Sequence, residues 1–105
     1  MSMPGNGEPL YRVVYPELVQ KALLELYGRA AAKGRGEEVL AAARVIDRRL
    51  QLDPRAFGEP RYSLHEANLD VFVRVVSPLL VFYAVHESKH LVFVRKIETL
   101  PSAGI

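Results

Sequence analysis

The residues of this sequence best suited to chemistry are arginines and lysines, whose charged groups bind phosphates and stabilise the charge that develops when a phosphodiester is cleaved. Four of them lie on or near predicted strands in the second half of the chain: Arg61, Arg74, Arg95 and Lys96. They are the candidate catalytic residues. Because side chains alternate between faces along a strand, we expect Arg95 and Lys96 to point in opposite directions, so they cannot both contribute to one site.

A second basic group lies on a predicted helix and is a candidate for binding nucleic acid. Arg44 and Arg48 are one helical turn apart, and Arg55 follows just beyond the end of that helix. The acidic residues interspersed among them favour the alternative of an ordinary solvated helix face. The formal net charge of +2 is too small to indicate nucleic acid, because phosphate binding needs a clustered basic patch.

Arg74 has two interpretations. It shares a predicted strand face with Phe72, and a cation beside an aromatic ring is a minimal nucleic-acid contact. The alternative that the sequence favours is a cross-strand ion pair. The expected partners of that pair are Asp70, Glu87 or Glu98.

No metal site, cofactor or covalent catalysis is predicted. His86 and His90 flank a predicted turn with Glu87 between them, and His65 precedes Glu66, but these spacings match no established ligand pattern. The sequence contains no cysteine, which excludes thiolate nucleophiles and thiolate metal sites. It also lacks a glycine-rich phosphate loop and a serine, histidine and aspartate arrangement.

The elements that position these residues follow from hydrophobic periodicity. Residues 10–15 are aromatic and β-branched, which favours a strand, and Pro16 ends it and suits the first turn of a helix. Apolar residues then recur at helical spacing over 18–30, two glycines interrupt them, and the spacing resumes over 39–50. Two antiparallel helices joined by a short turn are therefore predicted.

Beyond these helices the periodicity changes to alternation. Residues 69–76, 79–86 and 91–97 predict strands separated by short turns, which implies an antiparallel meander. The predicted fold is α+β: a strand, a two-helix hairpin and an antiparallel meander of three to four strands, with the helices packed on one sheet face. The middle strand is nearly all apolar, which predicts either cover on both faces within the fold, or cover by the helices on one face and by a partner on the other. The predicted core contains Leu23, Leu26, Ile46, Leu50, Val81 and Val85.

The length of 105 residues predicts one domain at 10–100, with a flexible tail at 1–9 and a short C-terminal tail at 101–105. The first tail is rich in glycine and proline, and this composition does not repay the entropy of ordering. No run approaches the roughly 20 apolar residues that span a bilayer, and the first residues lack the pattern of a secretory leader. We therefore expect a cytoplasmic protein without membrane contact.

Four segments of the sequence carry a resemblance to a known family. They are Leu52-Asp53-Pro54, then Phe57-Gly58-Glu59-Pro60 with Leu64, then 81–87 (VFYAVHE), and finally 91–94 (LVFV). With the order of elements, they resemble the RelE/ParE toxins of type II toxin–antitoxin and plasmid stabilisation systems in bacteria. The resemblance covers roughly residues 10–100.

The sequence departs from the ribonucleases of that family at the residues that serve catalysis. The family places an arginine three residues before the tyrosine of the meander, and that position here is Leu80. Its lysines on the preceding strand correspond to Val71 and Val73. The basic pair and tyrosine that follow its last strand are replaced by the segment 98–101 (ETLP). A phosphodiester transition state needs cations beside it, which these residues do not supply.

The resemblance therefore implies a toxin component that binds an antitoxin and lacks efficient messenger RNA cleavage. Its cellular target would be the ribosome and messenger RNA, or gyrase. Two alternatives stay open: a ribosome-dependent endoribonuclease with relocated basic residues, and a non-toxic interaction domain of the same fold. The protein could also form a homodimer under any of these three interpretations.

Overall fold

One five-stranded mixed sheet and three α-helices make up the computed structural model, which describes residues 9–105. The flexible tail expected at 1–9 lies, apart from Pro9, outside the described residues. The elements in chain order are β1 (Arg12–Val14), α1 (Glu17–Ala32), α2 (Gly36–Leu52), α3 (Pro54–Phe57), β2 (Glu59–Leu64), β3 (Leu69–Val76), β4 (Leu79–His86) and β5 (Leu91–Thr99). The strands lie in the order β1-β5-β4-β3-β2, so that β2 to β5 form an antiparallel meander and β1 runs parallel to β5.

The two long helices form where the apolar periodicity predicts them. Helix α1 begins directly after Pro16, with Glu17 beside the positive end of the helix dipole. Gly34 adopts a φ of +72° in the turn that follows, a conformation that glycine reaches without strain. Helix α2 then returns antiparallel, and both helices bury one apolar stripe against the same sheet face. The predicted α+β architecture, with helices on one face, is confirmed.

The core lies between the helices and this sheet face. Five of the predicted core residues are at most 5% exposed, and they are Leu26, Ile46, Leu50, Val81 and Val85. Leu23, the sixth, is partly buried at the edge of this core. Tyr83 is fully buried in it, and its hydroxyl donates a hydrogen bond of 2.6 Å to the carbonyl of Pro54.

The segment between α2 and β3 differs from the prediction. The composition of residues 57–60 is typical of a turn, whereas the structure has the short helix α3 and, after Gly58, the strand β2, which begins at Glu59. Strand β2 is exposed along its whole length at the edge of the sheet. Pro60 is compatible with this strand because an edge strand has a side that needs no backbone donor.

The last residues are attached to the turn between the long helices. Lys33 Nζ donates a hydrogen bond of 2.7 Å to the carbonyl oxygen of Gly104, and the Arg35 guanidinium donates to that of Ala103. Ile105 packs against the core. The basic residues of this turn therefore hold backbone carbonyls of the same chain.

Candidate functional site

The sheet face that turns away from the helices, here called the open face, contains the positions at which the family resemblance places catalytic cations. Strand alternation puts Val71, Val73 and Leu80 on this face, because Phe72 and Val81 between them pack in the helix-facing core. In the register of β3 and β4, Val73 pairs with Phe82, and Leu80 pairs with Val75. The fold thus brings the three positions close together, and each holds an apolar side chain.

Two irregularities in the sheet add basic residues to the open face. In β5, Phe82 pairs with Lys96 while the next residue, Tyr83, pairs with Val94, so Arg95 is an extra residue opposite β4. In β2, a similar shift between Pro60 and Tyr62 makes Arg61 the extra residue. A bulge inserts one residue and resets the alternation of its strand.

The bulge in β5 corrects the prediction that Arg95 and Lys96 point in opposite directions. Arg95 Nη1 donates a hydrogen bond of 3.2 Å to the hydroxyl of Tyr62, which lies opposite Val71 on the open face. Lys96 lies 6.0 Å from the centroid of the Phe82 ring on the same face. Both basic residues therefore share the open face, because the alternation rule holds only where the ladder is regular.

The contact between Arg95 and Tyr62 crosses the face from β5 to β2. Beneath it lie Val71 and Ala84, which are 3% and 1% exposed although no helix covers them. The two long side chains shield these small residues from water. Arg95 is therefore partly committed to a structural contact.

A shallow depression of about 390 Å³ lies beside this contact. It is lined by Glu59, Arg61, Val73, Arg74, Val75, Leu80 and Phe82. Arg74 belongs to this lining although its guanidinium lies over Phe57. Lys96 stands at the neighbouring strand and forms an ion pair of 2.8 Å with Glu98. The open face thus has an apolar centre with charges of both signs at its margins.

Arg74 points to the opposite side of the sheet from the other candidate catalytic residues. Its guanidinium carbon lies 5.3 Å from the centroid of the Phe57 ring, at the edge of the helix-facing core. Within residues 9–105 it forms no ion pair, so the expected bridge to an acidic residue is wrong. Arg55 takes that place, with Asp70 at 2.9 Å and Glu87 at 3.8 Å.

Asp70 is held in its charged form by two neighbours. A hydrogen bond from the Ser63 hydroxyl and a second from Arg55 lower the pKa of its carboxyl group. Arg55 also lies 5.5 Å from the centroid of the Phe72 ring. This candidate for nucleic-acid binding is therefore occupied by contacts within the chain, away from Arg44 and Arg48.

Arg44 and Arg48 lie on a groove between α1 and α2, which the sequence did not indicate. The groove has a volume of about 660 Å³ and a mainly apolar lining that includes Leu23, Leu24, Leu40, Ala43, Ile46 and Ile97. Leu24 is 71% exposed in it. The adjacent pair Leu23 and Leu24 is the signal that could have revealed it, because it widens the apolar stripe of α1 beyond what one sheet face covers.

The lining of this groove also contains a partly buried polar contact. The Tyr15 hydroxyl donates a hydrogen bond to Asp47 Oδ1, and Gln51 Nε2 donates one of 2.7 Å to Asp47 Oδ2. Burial, together with the neighbouring Asp47 carboxylate, raises the pKa of Tyr15. These donors are neutral and leave the formal charge of Asp47 in place, so Arg44 and Arg48 give the groove lining only a small positive excess.

Residues 9–105 contain no group of three or more histidine, aspartate or glutamate side chains arranged to hold a metal ion. None of the described helices combines the length and apolar character needed to cross a membrane.

Comparison with known proteins identifies the class of fold. This is an α+β fold of the RelE toxin type, with helices on one face of a sheet whose meander carries the open face. A similar solved structure is a chain of the archaeal RelE–RelB complex from Pyrococcus horikoshii OT3. The TM-score is 0.57 at 20% sequence identity, and the match covers 85% of this chain and 93% of that chain. No family model matches the sequence, and no curated protein matches it.

Proposed function

We propose that this protein is the toxin-like component of a cytoplasmic toxin–antitoxin pair, and that it binds an antitoxin without cleaving messenger RNA efficiently. The observation that carries the proposal is the apolar centre of the open face in a fold of the RelE type. Val71, Val73 and Leu80 stand where the family resemblance requires cations. A phosphodiester placed there would find no donor at the centre of the face.

The remaining cations of the open face do not replace the missing ones. Lys96 is paired with Glu98, and Arg95 is directed to the Tyr62 hydroxyl. Arg61 forms no ion pair within residues 9–105, but it is a single cation on the edge strand β2. Loss of one preorganised donor commonly costs on the order of a hundredfold in rate, and several are absent here. Binding rather than catalysis is therefore the activity that this surface supports.

The groove between α1 and α2 is the site that we assign to the antitoxin. Its apolar lining fits the apolar stripe of an amphipathic helix, which recognises such grooves through residues spaced at i, i+3, i+4 and i+7. Arg44 and Arg48 are exposed on it and form no ion pair within residues 9–105. An antitoxin helix with acidic residues beside its apolar stripe would match both the apolar lining and the two arginines.

Co-expression with the small protein encoded by the adjacent gene tests this assignment. We expect the two proteins to copurify, and we expect Leu24→Asp or the double change Arg44→Glu/Arg48→Glu to abolish copurification. Leu18→Asp is the matched control, because Leu18 is 79% exposed on the same helix and does not line the groove. Equal binding by all variants would reject the groove, and the absence of an adjacent antitoxin gene would favour a non-toxic interaction domain.

Controlled expression with mapping of RNA ends tests the absence of cleavage. We expect no new messenger RNA ends when the wild-type chain is expressed alone, whether or not growth is impaired. Growth arrest without RNA cleavage would point to another target, such as gyrase. Growth without any defect would favour the non-toxic interaction domain.

A ribonuclease with relocated cations is the second candidate, because the two bulges bring Arg61 and Arg95 to the same face as Lys96. It predicts specific cleavage of ribosome-bound message. That cleavage should disappear in Arg61→Ala or Arg95→Ala and persist in Arg74→Ala, whose side chain lies on the other face. This pattern, in correctly folded proteins, would replace the proposal above.

A further inference from the structure

The open face has the composition of half of a protein interface. Its centre is apolar over four adjacent strands, and no helix of residues 9–105 covers it. The side chains of Tyr62 and Arg95 lie over one part of it, above Val71 and Ala84. Monomeric proteins rarely leave a large contiguous apolar area on one side of a sheet, and such areas commonly mark a binding surface. The charges at its margins indicate what binds there.

One row of side chains across this face is charged at both ends. The registers align Glu59 of β2, Val73 of β3, Phe82 of β4 and Lys96 of β5. The row therefore has a negative end, an apolar middle and a positive end, and the cation of the positive end is shared with Glu98 of its own chain at 2.8 Å. Glu59 forms no ion pair within residues 9–105, although its side chain is exposed.

Such a row is complementary to a copy of itself. Consider a two-fold axis that runs parallel to the strands, in the interface plane and midway between β3 and β4. Rotation about it reverses the order of the strands and keeps the position of each residue along its strand. Lys96 of one copy then faces Glu59 of the second copy, and this contact occurs twice because a two-fold interface repeats every contact. The same operation sets Val73 against Phe82 of the second copy.

The next row supports the same arrangement. It runs from Tyr62 through Val71 and Ala84 to Phe93, so its two ends are aromatic. Reversal brings Tyr62 of one copy against Phe93 of the second copy. Two sheets packed face to face keep their strands within about 30° of each other, which allows the rows to meet.

We propose that the open face is a self-association surface, through which two copies of this chain pack sheet to sheet. Four strands of about eight residues offer a footprint on the order of 500 Å² per copy, which is at the small end of specific interfaces. The dimer should therefore be reversible and dissociate on dilution. It leaves the groove between α1 and α2 free, since that groove lies on the other side of the sheet.

Charge exchange at Glu59 and Lys96 tests the geometry. Sedimentation velocity of the full chain over a concentration series should show the wild type shifting from monomer to dimer. Glu59→Lys and Lys96→Glu, each alone, should weaken dimerisation by on the order of tenfold or more, because two attractive contacts become repulsive. Mixed together, the two variants should form a heterodimer of nearly wild-type affinity, since both contacts then join opposite charges.

A third variant, Arg61→Glu, is expected to raise the affinity of the dimer. The same axis places Arg61 against Arg95 of the second copy, so Arg61→Glu should strengthen dimerisation. A single-stranded RNA oligonucleotide is the competing occupant, and for that ligand the same change should weaken binding. Unchanged thermal midpoints would verify the fold of each variant.

Each outcome of these experiments supports or overturns the proposed dimer. Dimerisation of the wild type, loss in both single variants and recovery in the mixture would establish the surface. A wild type that stays monomeric at the highest concentration would overturn it. So would single variants that dimerise like the wild type, a mixture that fails to recover, or RNA binding that Arg61→Glu weakens.

Discussion

The two faces of the sheet differ in what their side chains contact, although both are made by the same strands. On the helix-facing side, Val81 and Tyr83 of β4 are fully buried under α1, α2 and α3. On the open face, the neighbouring Leu80 and Phe82 stay partly exposed. The difference shows that the nearly continuous apolar run of β4 is divided between two faces: one set of side chains builds the core, and Leu80 and Phe82 of the other set lie partly exposed on the face that we propose as a binding surface.

Polar groups follow the same division. The buried Tyr83 hydroxyl has a fixed partner in the Pro54 carbonyl, and burial raises the pKa of that hydroxyl. On the open face, the Tyr62 hydroxyl accepts a solvent-exposed hydrogen bond from Arg95. Substitutions on the first side should therefore change stability, whereas those on the second should change association.

Among substitutions that should leave the chain folded, the largest effect on stability is expected for Leu26→Ala, because this side chain is 4% exposed in the core on the helix-facing side. Removal of a buried leucine should lower the free energy of unfolding by about 2–5 kcal/mol. Leu24→Ala is the matched control on the same helix, since Leu24 is 71% exposed, and its effect should be within about 0.5 kcal/mol. Chemical denaturation measures both, and a loss below about 0.5 kcal/mol for Leu26→Ala would contradict the packing.

A smaller effect is expected for the two tyrosines. Tyr83→Phe leaves the buried carbonyl of Pro54 without its donor and should cost about 1–3 kcal/mol. Tyr62→Phe removes a hydroxyl from an exposed contact and should change stability by about 0.5 kcal/mol or less. Equal effects in denaturation experiments would show that the two faces do not differ in the way described.

A small effect on stability is also expected for Val73→Lys, which places a cation at the centre of the open face. A lysine there can extend its ammonium group into water, so the free energy of unfolding should fall by only about 1 kcal/mol or less. The same substitution at Val81, which is 0% exposed, should prevent folding, because a lone buried charge has no partner. The dissociation constant of the dimer should rise strongly for Val73→Lys even though the fold persists.

Much of the architecture was predictable from local patterns. The stripe that includes Leu26 and the stripe that includes Ile46 each define a helix and its buried side, because every residue on a helix has a fixed angular position. The alternation of β3 likewise assigned Phe72 to one face and Val73 to the other. The start of β2 was not predictable in this way, since Glu59 and Pro60 are typical turn residues that join the sheet only through pairing with β3.

The sequence by itself determined the class of fold and the apolar nature of positions 71, 73 and 80, because both depend on residue type and spacing. Only the tertiary structure decided where the charged side chains lie. Bulges at Arg61 and Arg95 turn both residues to the open face, and Arg74 is held over Phe57 instead of an acidic partner. A bulge depends on how one strand aligns with a distant neighbour, so no local pattern contains it. The charged rows that suggest a second copy exist only in that alignment.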